Sequence, residues 1–208
     1  MVLNFLNGGA AINVLARHVG ARITIVDMGV AKEMKPHPSL VNRKIACGTA
    51  NMTKGPAMTG EQAEQAILDG VEVVEMEIAK GLDIVGTGDM GVGNTSPSAG
   101  IASALTGIEP ARVAGRGTGV DDDGLKRKIN AIERALAINN PDPHDGLDVL
   151  SKVGGFEIGG LAGVILVAAA NRKAVMVDGF ISTAAAMIAV TICPAARSYL
   201  ISAHRSQE

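Results

Sequence analysis

The 208 residues contain no tryptophan, one tyrosine and three phenylalanines. So few rings do not make an aromatic recognition surface. The apolar 47% of the chain is mainly Ala, Val, Ile, Leu and Met, which suits tight helix-on-sheet packing. An excess of either charge is also missing. With 19 Lys and Arg against 21 Asp and Glu, the net charge is −2 at pH 7, which gives no electrostatic warrant for binding nucleic acid. The two cysteines, Cys47 and Cys193, form no C-x-x-C pair and have no nearby histidine, so they read as buried thiols rather than metal ligands or nucleophiles.

Long uninterrupted apolar runs are scarce too. Residues 158–170 are too few to span a bilayer, and 180–196 are broken by Ser182, Thr183, Thr191 and Pro194, so both read as buried elements and no membrane partner is expected. No basic segment followed by an apolar run and a cleavage site opens the chain, which predicts a cytoplasmic location.

The most informative stretch is 86–97, GTGDMGVGNTSP. Glycines at 86, 88, 91 and 93 let backbone approach a ligand, and a helix starting between Asn94 and Ser98 would offer unpaired amides to an anion. Gly86, Gly88 and Gly91 satisfy G-x-G-x-x-G, but Gly93 and Pro97 delay the helix and Glu109 falls beside Pro110 in a turn. A phosphate or nucleotide ligand is favoured over a dinucleotide, with a tight structural turn as the remaining reading. Asp89 inside this loop either meets a ligand or reacting group, or caps the loop locally.

A second cluster, 112–128, is RVAGRGTGVDDDGLKRK. Gly115, Gly117 and Gly119 make a sharply turned loop, and Lys128 on the following helix serves a phosphate or lies on a solvated face. Arg116 suits phosphate contact and a structural salt bridge equally. Asp178-Gly179 at a strand end and His204-Arg205-Ser206 are further candidates for the pocket lining.

Apolar spacing and turn residues predict helices over 5–18, 60–80 with Thr59 as cap, 98–105, 121–138, a buried one from 156 or 158 to 164, and 180–190. Short strands are expected at 22–26, 82–85 and 175–177, and 32–58 reads as one long functional connection. This alternation predicts an α/β fold, a Rossmann-like, mostly parallel sheet flanked by helices.

Several separated strings carry a resemblance: 4–17 (NFLNGGAAINVLAR), 26–30 (VDMGV), 51–58 (NMTKGPAM), 88–95 (GDMGVGNT), 115–122 (GRGTGVDD), 177–180 (VDGF) and 202–206 (SAHRS). In this order they resemble the nicotinate-nucleotide–dimethylbenzimidazole phosphoribosyltransferases, and the resemblance covers nearly the whole chain. It implies a homodimeric enzyme with no cofactor and no metal, whose partners are nicotinate mononucleotide and 5,6-dimethylbenzimidazole and whose product, α-ribazole 5′-phosphate, serves cobalamin biosynthesis. It places phosphate recognition around Gly91, Lys128 and Ser206 and sets Gly117 and Thr118 near the substrate loop. Gly88, Met90, Gly93, Asn94, Arg116 and Asp178 complete the implied binding set. Asp89 matches the acid of the family's G-E-M-G motif, one methylene shorter, and is an auxiliary catalytic candidate.

Against that family pattern, residues 1–208 read as the nucleotide- and phosphate-binding core. The terminal helical regions and the usual C-terminal catalytic glutamate read as absent, and Glu208 is not their substitute. A noncatalytic nucleotide-binding or protein-interaction fragment is the alternative of a different class. A shortened chain is expected to dimerise or to expose apolar surface, with Met28, Val30, Met58 and Met90 either there or in the core.

Overall fold

The computed structural model describes residues 1–117, 119 and 121–204. Its contacts divide the chain into two compact units, 1–48 and 49–208.

In the first unit, helices α1 (Val2–Leu6) and α2 (Ala11–Val19) replace the single helix expected over 5–18. Gly8 adopts φ 74°, where a side chain is strained, and turns the chain out of α1. Asn13 Oδ1 then accepts the Ala10 amide at 3.1 Å, and α2 ends on Gly20 in the left-handed region. Strand β1 (Ile25–Asp27) pairs in parallel with β2 (Leu40–Asn42), Ile25 opposite Leu40. The second strand lies inside the 32–58 stretch that reads from sequence as one connection. Three residues are too few to show an alternation.

Asp27 closes β1. Its Oδ1 accepts the amides of Gly29 and Val30 at 3.0 and 2.9 Å, while Lys44 Nζ sits 3.3 Å from Oδ2. Lys44 also donates to the Val30 carbonyl at 2.6 Å, so this ion pair shapes the VDMGV turn. Along α2, Ile12, Val14, Leu15 and Val19 are exposed. Met28 and Met58 are buried, Val30 is half-buried and Met90 is partly exposed. Both thiols are exposed rather than buried. Cys47 donates to Glu33 Oε1, and this contact, next to an anion, is the first cause that raises its pKa.

The second unit starts with α3 (Gly60–Ala79). Thr59 Oγ1 accepts the Gln62 amide at 3.2 Å and Gln62 Oε1 accepts the Thr59 amide at 3.0 Å, a reciprocal cap at the position expected from sequence. Then come β3 (Ile84–Thr87), α4 (Thr95–Thr106), the short α5 (Pro110–Val113) and α6 (Asp122–Asn139). Asp121 caps α6 through the Gly124 amide at 2.7 Å, with Asp122 and Asp123 at the positive end of the dipole. Helices α7 (Gly146–Val153) and α8 (Phe156–Ala170) follow. Strand β4 (Ala174–Val177), α9 (Gly179–Ile192), a 3₁₀ turn (Pro194–Tyr199) and β5 (Leu200–Ser202) end the described chain.

Strands β3, β4 and β5 form one parallel sheet in that order, with Thr87 opposite Val177 and Val177 opposite Ser202. The architecture is a mixed α/β fold, parallel strands flanked by helices, as the sequence alternation indicates. Ile101, Ile132, Leu150, Ile158, Ile165 and Ile188 are fully buried at its centre. Helices α3 and α8 approach until backbones touch: a methyl on Gly70 would lie 1.9 Å from the Gly160 carbonyl oxygen, and one on Gly163 2.0 Å from that of Ile67. No helix among the described residues is long and apolar enough to cross a membrane.

Candidate functional site

Parallel strands deliver their carboxyl ends to one edge of the sheet, where loops and helix N-termini gather. Here β3 runs out into Gly88 and Asp89, β4 into Asp178, and β5 into Ala203 and His204. The Ala203 amide bonds the Val177 carbonyl at 3.0 Å, and His204 Nε2 meets Asp178 Oδ1 at 2.9 Å. Both side chains of that pair are exposed, so it is a solvated rim contact.

After β3 the chain folds on Asp89, whose Oδ1 accepts the Gly91 amide at 2.6 Å and the Asn94 side-chain amide at 3.0 Å. Gly91 and Gly93 have φ 66° and 82°, the left-handed conformation the turn needs before α4 can begin. Asn94 holds the N-cap position of α4 without a side-chain capping hydrogen bond, and its Nδ2 donates to Asp89 Oδ1. Asp89 is half-buried; Gly88 and Gly93 are exposed, and Met90 lies at the loop surface.

The second glycine segment comes to the same place. Lys128 Nζ donates to Thr95 Oγ1 at 3.0 Å and to the Gly115 carbonyl at 2.8 Å. Gly117 lies so close that a methyl there would stand 3.2 Å from Thr95 Oγ1 and 3.8 Å from Lys128 Nζ. Lys128 is therefore half-buried at the junction of two loops and not on a solvated helix face. Arg116 forms an exposed ion pair with Asp122. Thr118 and Ser206 lie outside the described residues.

One acid escaped the sequence reading. Glu157 is the lone charged residue of α8, otherwise FEIGGLAGVILVAAA without a polar side chain, and it lies next to Asn94 and Asp89. Burial first, and then the negative charge of Asp89, raises its pKa; its own backbone amide and the Asn94 side chain oppose the rise. Some of the residue still reaches solvent. A single carboxyl at the start of a wholly apolar helix was the signal that could have found it. Among the described residues no group of three or more His, Cys, Asp or Glu could hold a metal ion.

The model of the phosphoribosyltransferase family matches residues 1–208. The chain belongs to that family. Its relatives include the nicotinate-nucleotide–dimethylbenzimidazole phosphoribosyltransferases of Roseiflexus sp. (strain RS-1) and Dehalococcoides mccartyi (strain CBDB1), each 62% identical over all 208 residues. The chain spans 59% of the length of either protein. The crystal structure of CobT from Thermus thermophilus superposes with a TM-score of 0.94 at 44% identity, covering 98% of this chain and 61% of that one. The family's parallel α/β architecture thus holds for this member.

Proposed function

We propose that the chain transfers the ribose phosphate of nicotinate mononucleotide to 5,6-dimethylbenzimidazole, giving α-ribazole 5′-phosphate and nicotinate. The observation that carries this reading is the convergence of the two glycine segments on Lys128 at the carboxyl edge of the sheet. The activity for which its relatives are named supports it.

In this reading Lys128 and the amides around Gly91, Gly93 and Gly117 grip the phosphate, an ammonium charge backed by backbone N–H donors. Gly88, Met90 and Asn94 line the sugar side, Arg116 and Asp178 stand at the rim, and Thr118 and Ser206 belong to the binding set by family pattern. Anchoring the phosphate fixes C1 of the ribose, so alignment lowers the entropic cost of the substitution. The acceptor nitrogen bonds to C1 from the face opposite nicotinate, the C1–N bond breaks with its electron pair leaving on the nicotinate ring, and inversion gives the α-linkage. The azole N–H proton then needs a base, and Asp89 is the auxiliary candidate at the loop. Homodimerisation and a cytoplasmic location belong to the same proposal.

The test mixes the chain with both substrates and follows α-ribazole 5′-phosphate by mass spectrometry, beside calorimetric binding of nicotinate mononucleotide. Product above background is expected. Binding without product would replace transfer by a nucleotide-binding role, and neither binding nor product would end the nucleotide reading.

A further inference from the structure

Asp178 holds the N-cap position of α9 but makes no capping hydrogen bond there, although aspartate is among the residues that cap a helix best. Its Oδ1 instead stands 2.9 Å from His204 Nε2. Two further bonds hold the backbone beside the histidine: the Ala203 amide donates to the Val177 carbonyl at 3.0 Å, and Ser202 Oγ donates to the His204 carbonyl at 2.8 Å. A carboxylate that accepts from Nε2–H selects the neutral tautomer whose Nδ1 carries the lone pair. The side chain is 53% exposed, so a bound molecule can reach it.

Strand register sets where this pair lies. Thr87, Val177 and Ser202 stand opposite one another across β3, β4 and β5, and Asp89, Asp178 and His204 follow them within two residues. With neighbouring strands about 4.8 Å apart, His204 lies roughly 10 Å along the carboxyl edge from the Asp89 loop. In the proposed reading the phosphate is gripped on the β3 side, by Lys128 and the amides before α4. The sugar and the reacting ring then extend along the edge toward β4 and β5.

We propose that His204 is a catalytic residue of the transfer, its Nδ1 taking the azole N–H proton of the acceptor, and that Asp178 is the positioning residue that orients the ring. A base held in place by a third group is the arrangement such proton transfers use. The inference rests on the transfer reading and deepens it.

The electron and proton balance closes on these groups. The imine nitrogen of the acceptor bonds to C1 with its lone pair, the bond from C1 to the nicotinate ring breaks with its pair going to the ring nitrogen, and the acceptor is left as a benzimidazolium cation. Its N–H proton passes to His204 Nδ1. The imidazolium so formed faces the Asp178 carboxylate and returns the proton to water, which its exposure permits. Asp89 is the competing acceptor at this edge, but its Oδ1 already takes the Gly91 amide and the Asn94 side-chain amide. That commitment suits it to shaping the loop.

Two acceptors test the assignment, 5,6-dimethylbenzimidazole and its N-methyl derivative, which has no N–H proton to lose. Product formation from nicotinate mononucleotide is followed by mass spectrometry for the parent, His204→Gln and Asp178→Asn. A carboxamide keeps a donor toward Asp178 but takes up no proton, so H204Q should be about 100-fold slower than the parent with the first acceptor and equal to it with the second. D178N should show the same selectivity with a smaller loss. Equal proportional losses with both acceptors would make the pair structural and overturn the proposal. Parental rates in H204Q with the first acceptor would overturn it too and hand the proton to Asp89. Free imidazole supplies a second readout that does not depend on the N-methyl compound: it should restore product in His204→Ala with 5,6-dimethylbenzimidazole, and failure to do so would refute the base. No product from the parent with either acceptor would remove the transfer reading itself and this base with it, an outcome distinct from a parent that turns over without regard to His204.

Discussion

Replacing Gly163 by alanine is expected to destabilise the second unit by about 3 kcal/mol or more, the upper range for overpacking. The added methyl would lie 2.0 Å from the carbonyl oxygen of Ile67, 2.9 Å from its carbonyl carbon and 3.1 Å from the Val71 amide nitrogen. All three are backbone atoms of α3, which cannot turn aside as a side-chain tip can. Two effects of opposite sign compete. Alanine in a helix interior is favoured over glycine by about 1 kcal/mol, but that gain is smaller than the cost of pushing two packed helices apart. For a unit of this size the loss corresponds to a fall in Tm of roughly 6–12 °C. Urea or thermal unfolding checks it. Gly60→Ala is the matched control, because nothing stands within 4 Å of a methyl there. Gly163→Ala unfolding with Gly60→Ala would show that the helices have room between them. The consequence also reaches the site, since α8 carries Glu157 on its first turn.

The second large effect is expected at Lys128. Lys128→Ala removes the ammonium that joins Thr95 to the Gly115 carbonyl, and with it the positive charge between the two glycine loops. Nicotinate mononucleotide should bind about 100-fold more weakly, ~3 kcal/mol, the size of a hydrogen bond to a charged group lost from a half-buried place. Lys128→Arg tests shape separately from charge. A planar fork with five donors does not reproduce a compact ammonium held 2.8 Å from a carbonyl and 3.0 Å from a hydroxyl, so most of the loss should remain. Calorimetry reads affinity and thermal unfolding reads the loop staple. A drop in Tm with affinity unchanged would make Lys128 a structural clasp and remove the phosphate anchor.

Local signals in the sequence account for α3 and α6. Each has an apolar stripe at helical spacing and a capping side chain, Thr59 or Asp121, whose hydrogen bonds close within three residues of chain. The glycine turn before α4 is legible for the same reason, because positive φ at Gly91 and Gly93 is a property of single residues. Strands β2 and β5 are different. Each has three residues, and β5 is a strand only because Val175, Met176 and Val177 supply its partners from another part of the chain. Helix α7 is equally silent in the pattern: Pro141, Pro143, Gly154 and Gly155 bracket it with turn residues, and its start depends on Asp145 accepting the amides of Leu147 and Asp148. The 5–18 helix fails at Gly8, where the turn outweighs the apolar spacing on either side.

The amino-acid order by itself determined the α/β class, the strong helices and the two glycine loops, and several of its strings sufficed for the family resemblance. Those features depend on spacing and on backbone preferences that act within a few residues. Tertiary structure alone decided that Lys128 leaves the solvated face and joins the loops, that Arg116 turns to Asp122, that both thiols are exposed and that Glu157 lies against Asn94 and Asp89. Burial and charge proximity are properties of surroundings assembled from distant segments, and a linear pattern holds no record of them until the chain has packed.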